Sequence, residues 1–293
     1  MPSPPRRDGA LRVATWNLDW WQRDSAQTDR LELLDAYVDG VLLLQELRGH
    51  TVTALRDWPG PATFSIDLHP EATGRWMSNA VLLPAGAQVH DAGLVEDLPR
   101  SQRGMWVRAT IKGVATPIVF VSWHCENAAG GPEKQRRKMQ AYRAMSTWLA
   151  SAARPTVLGA DLNTWRDPVD LVRAAPGDPY RDEHAFVGPE PEHGLVDAYR
   201  QVLAHTGEFD DLRLSMPDGP LATSYELDDG TPHRFDRLFL STDLVVHRAA
   251  YELAAARDAG SDHALHWADF SLTAPASEAR SFTGPTTSPD QKG

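Results

Sequence analysis

The chain has 293 residues, 42% of them hydrophobic and 24% charged, with a formal net charge of −11. Such a length holds one large domain or two small ones with a sizeable core, and the charge speaks against a broadly basic surface gripping long nucleic acid. The single cysteine, Cys125, excludes an intrachain disulfide framework, while the absence of an apolar leader or a run of about 18 apolar residues gives the expectation of a cytoplasmic protein without membrane insertion.

Residues 1–10, rich in Pro and Arg, are expected to be disordered. A domain over 11–274 follows, without linker or short repeat. Leu11 to Leu18 predicts a strand that closes on Trp16-Asn17. A helical pattern runs roughly from Asp29 to Val38. Val41 to Leu47 predicts a buried strand ending on Gln45-Glu46, and Asn79 to Leu83 and Met105 to Ile111 predict two more. Ile118 to Trp123 predicts the fifth, with His124 directly after it. From Pro132 to about Ala152 the residues Met139, Tyr142, Met145 and Leu149 recur at spacings of three and four, which predicts a helix with Pro132 in its first turn. Thr156 to Leu162 predicts a strand closed by Asp161 and Asn163. A further helix is predicted from about Leu195 to Leu203. Strands follow at Phe235 to Leu240, Leu244 to Tyr251 and Leu265 to Leu272, the last preceded by Ser261-Asp262-His263. Residues 275–293, rich in Pro, Ser, Thr and Gly, read as a flexible tail. Many strands with a few long helices predict an α/β, four-layer αββα sandwich. Two mostly antiparallel or mixed sheets would pack face to face with helices outside.

Polar residues of metal-binding and acid/base type thus collect at the ends of successive buried strands, where rigid backbone meets solvent. Each has an ordinary reading on its own. Glu46 is the first solvated residue past a core strand, Asn17 a turn former, and His124 a satisfied half-buried histidine. Asp161-Leu162-Asn163 is an Asx turn or cap, Cys125 a small buried hydrophobe, and most of the ten tryptophans core residues. Their joint occurrence in this order carries the argument.

In that order the segments VATWNLD (13–19), LLLQEL (42–47), VSWHCEN (121–127), LGADLNTWRD (158–167), LVDAYR (195–200), RFDRLFLS (234–241) and SDHALH (261–266) resemble the endonuclease/exonuclease/phosphatase superfamily. That DNase I-like group includes abasic-site endonucleases, tyrosyl-DNA phosphodiesterases, neutral sphingomyelinases and inositol-polyphosphate 5-phosphatases. TWNLD and NTWRD are most similar to the tyrosyl-DNA phosphodiesterase-like branch. Two departures are visible. Ala160 separates Gly159 from Asp161 where the family usually has Gly directly before Asp, and no basic substrate loop stands out.

The resemblance implies a divalent-metal-dependent phosphoester hydrolase using Mg²⁺ or Mn²⁺. Glu46 would be the principal protein ligand, with Asn17 and Asp262 near it. Asp161 would orient or deprotonate the attacking water, and Asn163 would hold a phosphate oxygen. His263 would face the scissile phosphate with Asp236 fixing its tautomer. Family members differ on whether the histidine or the aspartate is the base, and both readings stay open. His124 would donate to a phosphate or leaving-group oxygen, assisted by Asn127. Arg103 and Arg136 are candidate phosphate contacts, each also readable as a surface charge. Nucleic acid is favoured as substrate because the nearest motifs belong to DNA-processing branches and because Trp20, Trp21, Trp165 and Trp267 lie near them, able to stack on unpaired bases. The alternatives are a small-molecule or lipid phosphoester, which suits the acidic body, and a catalytically inactive binding module, which would have lost metal or imidazole residues that are all present here. No obligate protein partner is expected.

Overall fold

The computed structural model describes residues 5–7, 9–19, 27–69, 77–164, 181–188, 191–217 and 219–273. In chain order the elements are β1 (Leu11–Asn17), α1 (Gln27–Asp35), β2 (Val41–Leu47), α2 (Gly49–Leu55), β3 (Ala62–Phe64), α3 (Ser65–Leu68) and β4 (Ser78–Leu82). Next come β5 (Gln88–Leu94), a 3-10 turn (Ser101–Arg103), β6 (Gly104–Thr110), β7 (Ile118–His124), α4 (Pro132–Ser151), β8 (Thr156–Asp161) and α5 (Arg181–Val187). The chain continues through β9 (Leu195–Asp197), α6 (Ala198–Thr206), α7 (Glu208–Ser215), β10 (Tyr225–Glu226), β11 (Pro232–His233), β12 (Asp236–Ser241), β13 (Leu244–Glu252), α8 (Leu253–Asp258) and β14 (Leu265–Leu272).

Two six-stranded sheets result, ordered β13-β14-β1-β2-β4-β3 and β5-β6-β7-β8-β12-β9, and β10-β11 forms a separate short ribbon. Each sheet is mixed. The β1/β2 pair is parallel in the first and the β7/β8 pair in the second, with antiparallel pairing elsewhere. The side chains explain the layering. Alternate residues of a strand face opposite sides, so Val13, Leu43, Phe120, Val157, Leu238 and Phe270 meet in the core between the sheets. Ala14, Trp16, Leu42 and Leu44 face outward under Leu34 of α1, Val52 of α2 and Ala256 of α8. On the other outer face Val121, Trp123 and Leu158 pack against Met139, Tyr142, Met145 and Leu149 of α4 and Phe186 of α5. The layers are therefore helix, sheet, sheet, helix. Among the described residues no helix is long and apolar enough to cross a membrane.

The helix expected from Leu195 begins later. Leu195–Asp197 pairs with β12 as an edge strand, and the Asp197 side chain accepts from Arg200 N to cap α6, which starts at Ala198. At the site end the inter-sheet core turns polar. Buried Gln45 donates from Nε2 to Ser122 Oγ at 3.1 Å, and Ser122 Oγ donates to Leu44 O at 2.8 Å, tying the sheets together. Gly159 sits at their closest approach, where an added Cβ would lie 2.7 Å from Thr15 Cβ and from Leu43 Cδ1. Gly159→Ala is accordingly expected to cost about 1–3 kcal/mol. The urea midpoint would fall with an unchanged slope, and an unchanged midpoint would show that the sheets are free to part.

Candidate active site

Register brings the polar residues together. In the second sheet β7 and β8 run parallel and end together, with His124 opposite Asp161. β12 runs the other way and begins there, with Asp236 opposite Asp161. His124, Asp161 and Asp236 thus form one row across three neighbouring strands. The first sheet ends above them, with Asn17 opposite Gln45, and Asn17 Nδ2 donates to Asp161 Oδ2 at 2.8 Å across the gap. The loop before β14 adds His263. Its position is fixed by Trp16 Nε1 donating to its carbonyl at 3.0 Å and by Ser261 Oγ, which donates to Asn17 O at 2.7 Å.

His263 Nδ1 lies 2.9 Å from Asp236 Oδ2, and its Nε2 faces Asp161 Oδ2 at 4.0 Å. Burial alone would lower the pKa of this imidazole. The carboxylates of Asp236 and Asp161 outweigh burial and hold it well above the ordinary histidine value. The two carboxylates thus favour the charged form of His263, which Asp236 aims and which opens onto the cleft. Burial pushes the Asp161 carboxyl up, against the opposing pull of His263. Asp161 also accepts from Asn163 N at 2.9 Å and from Asn163 Nδ2 at 3.3 Å, and Asn163 Nδ2 donates to Cys125 O at 3.0 Å. The amide hydrogens of Asn163 thus point inward at Asp161 and the backbone. A phosphate contact from this side chain exchanges one of those bonds.

Glu46 is placed by a bulge. Between Leu44 and Leu47 the register of β2 against β4 shifts, and Glu46 takes a left-handed backbone with φ of 56°. Asp19 and Asn163, at φ 51° and 49°, share that conformation. Left-handed backbone costs a non-glycine residue on the order of 1–3 kcal/mol, least for Asn and Asp, and its clustering here marks a site held in place by its surroundings. His124 Nε2 lies 3.2 Å from Glu46 Oε1 and 3.6 Å from Asp161 Oδ2. Burial, with Arg103 and His263 adding repulsion, pushes His124 well below the ordinary value. Its neutral form is thereby favoured, with Nε2 facing the Glu46 and Asp161 carboxylates. Arg103 completes this side, with Nη1 3.4 Å from His124 Nε2 and from Cys125 O.

Among the described residues Asp161, Asp236 and His263 bring ligand atoms within 4.8 Å of one another, a buried group that can hold a metal. The hydrogen bonds divide its labour. Asp236 is engaged by His263 Nδ1, whereas Glu46 and Asp161 meet on a neutral imidazole. Asp262 Oδ1 is buried without a hydrogen-bond partner. Clustered carboxylate oxygens with spare capacity are what a hard divalent cation takes.

Other sequence candidates lie differently. Asn127 is exposed, and its Oδ1 accepts from Ala129 N at 2.7 Å in a local turn. Arg136 is exposed on α4, paired with Glu133, and lines a depression of about 860 Å³ that none of the cleft residues shares. Trp267 is buried on the outer face of the first sheet between the guanidinium groups of Arg12 and Arg248, so it is not open to a base. Trp20, Trp21 and Trp165, like the tail, lie outside the described residues.

Several contributors carried no motif. Tyr225 and Phe235 stack with centroids 4.9 Å apart, and the Tyr225 ring is 4.9 Å from that of His263, both partly exposed. Lys138, fully buried, donates to Asn163 O at 2.6 Å and pairs with Glu183 at 3.0 Å, while Tyr142 Oη donates to Leu162 O at 2.7 Å. The signal for Lys138 was a charge inside the apolar stripe of α4.

No protein-family model and no curated protein sequence matches the chain. Solved structures do. A D. rerio TDP2 complexed with single strand DNA product matches at 18% identity and TM-score 0.60, over 90% of this chain and 100% of that one. The Xenopus laevis APE2 catalytic domain matches at 15% and 0.62, over 89% and 91%. An endonuclease/exonuclease/phosphatase from Bacteroides vulgatus matches at 15% and 0.60, over 91% and 100%. The chain has the endonuclease/exonuclease/phosphatase fold. At these identities the likeness is one of fold. In this endonuclease/exonuclease/phosphatase framework the cleft of Glu46, Asp161 and His263 stands at the strand ends of both sheets.

Proposed function

We propose that the chain is a divalent-cation-dependent phosphodiesterase acting on nucleic-acid ends or short single-stranded segments. One observation carries the reading. The imidazole of His263, aimed by the buried carboxylate of Asp236, opens onto Asp161 in a cleft that also holds Glu46. Glu46 would be the main protein ligand of Mg²⁺ or Mn²⁺, with Asn17 and Asp262 beside it. The bound cation would neutralise charge on the phosphate and lower the pKa of a coordinated water. The chain's own residues do the rest. Asp161, fixed by Asn17 and Asn163, orients the attacking water and takes its proton. His263 donates to a phosphate oxygen as negative charge builds in the transition state. His124 donates from the second sheet, to the phosphate or the leaving oxygen, and Arg103 supports it with positive charge. The catalytic unit spans 11–274 and works in the cytoplasm without an obligate protein partner.

Nucleic acid is the favoured substrate for two reasons. A protein of the same fold is solved with a single strand DNA product. The half-exposed Tyr225–Phe235 stack beside His263 offers a face to an unpaired base. With −11 overall, few phosphates are held. Binding of single-stranded DNA should therefore show a shallow dependence of log affinity on log salt, with a slope on the order of −1 to −3. Single-stranded DNA, duplex DNA, RNA, a 5′-tyrosyl oligonucleotide, a small phosphodiester and sphingomyelin should be compared as substrates. Turnover confined to the last two would replace the nucleic-acid reading by a small-molecule or lipid phosphodiesterase.

A further inference from the structure

Beside the cleft, on the side of the second sheet, two arginines pair with one buried carboxylate and a third lies next to them. Glu126 follows Cys125 just past β7 and is 5% exposed. Arg100 Nε lies 2.9 Å from its Oε1, and Arg137 Nε donates to its Oε2 at 3.1 Å. Arg103, three residues after Arg100, lies 3.4 Å from His124 Nε2 and from Cys125 O and 3.8 Å from Met77 Sδ, all long contacts. Arg103 lies close enough to Arg100, Glu46 and Glu126 to feel the charge of each. The group is thus continuous with the cleft through His124.

Two features set it apart from an ordinary structural ion pair. One guanidinium would neutralise Glu126, yet Arg100 and Arg137 both pair with it and Arg103 lies near both Glu126 and Glu46, so three positive charges face two carboxylates. Arg100 and Arg137 both approach Glu126 through Nε. Their terminal amino groups have no protein partner among the described residues, and their side chains are 45% and 33% exposed. The Nε hydrogen bond to Glu126 fixes the guanidinium plane of Arg137, and the ion pair holds Arg100 beside it, while the outer N–H groups of both stay available. That is an oriented fork of the kind that binds phosphate in two-pronged fashion.

We propose that Arg100, Arg103 and Arg137, organised by Glu126, bind a second phosphate of the substrate, one linkage away from the phosphate that reacts. The preferred substrate then carries at least two phosphates, as an oligonucleotide does, and a lone phosphodiester fills only half of the site. This inference rests on the phosphodiesterase reading for its orientation, but its test reads binding and not turnover.

The probes are thymidine 3′,5′-bisphosphate, thymidine 5′-monophosphate and thymidine 3′-monophosphate, titrated calorimetrically into the full chain in Mg²⁺. The bisphosphate should bind at least about tenfold tighter than either monophosphate, the scale of one charge-assisted hydrogen bond. In Arg100→Gln/Arg137→Gln that ratio should fall to about one. The single variants stand in if the double variant does not fold. Equal affinities in the wild-type chain, or a ratio retained in the variants, would overturn the subsite. Absence of turnover on every phosphodiester, with the ratio intact, would instead remove the hydrolase reading and leave a two-phosphate binding site.

Discussion

Replacing His263 by alanine is expected to lower turnover at least about a hundredfold. The variant loses both a positioned proton donor and a charge facing the transition state. Asp236→Asn should cost less, because the imidazole remains. It should also change the pH profile. In the folded chain His263 is held above its ordinary value by Asp236 and Asp161 against the effect of burial. The stabilising interaction is therefore fully present below the unfolded histidine value, about 6.5, and is lost as pH rises through the folded one. Activity that needs the imidazolium falls along the same alkaline limb. Removing the Asp236 charge should move that limb to lower pH. Rates of Asp236→Asn measured across pH check this, and a fully active variant with an unshifted profile would break the pairing between these residues and the reaction.

Glu46→Gln is the second large effect. The substitution keeps shape and removes charge, so it should raise the metal concentration giving half-maximal turnover by more than about tenfold and depress turnover at limiting metal. The bulge in β2 makes this variant cleaner than most. The left-handed backbone at Glu46 is set by the register of β2 against β4, so a glutamine should occupy the same place. A thermal midpoint close to that of the wild-type chain would show that only the metal has been touched. Full activity of Glu46→Gln in limiting metal would remove Glu46 as the ligand.

What the sequence made legible follows from burial. Val41–Leu47 was readable to the residue as a near-continuous apolar run, and Leu265–Leu272 as a run of apolar residues interspersed with His266, Asp269 and Ser271. Asn17, Glu46, His124 and Asp161 stood out because each interrupts such a run at its end, whereas Asp236 entered only through the resemblance of RFDRLFLS. β5 was not, since Gln88–Leu94 is an exposed edge strand whose polar sequence shows no alternation. The start of α6 was misread because Leu195–Asp197 continues its apolar pattern backwards while its backbone pairs with β12. Tertiary placement was hidden altogether. Nothing local distinguishes Trp267, sealed between two arginines, from an open stacking residue. Nothing local assigns Arg136 to a helix surface and Arg100 to Glu126 beside the cleft. Those outcomes depend on which faces the sheets and α4 turn toward one another, and that is set by long-range packing.

On the proposed function, this cleft with a divalent cation cleaves phosphodiesters. The most direct measurement follows cleavage of an end-labelled single-stranded oligonucleotide by metal-stripped protein, before and after Mg²⁺ or Mn²⁺ is added, with Asp161→Asn run alongside. The account predicts no cleavage without metal, cleavage on addition, loss again in EDTA, and a rate at least about a hundredfold lower in Asp161→Asn. Cleavage that persists in EDTA, or that is equal in Asp161→Asn, would contradict it.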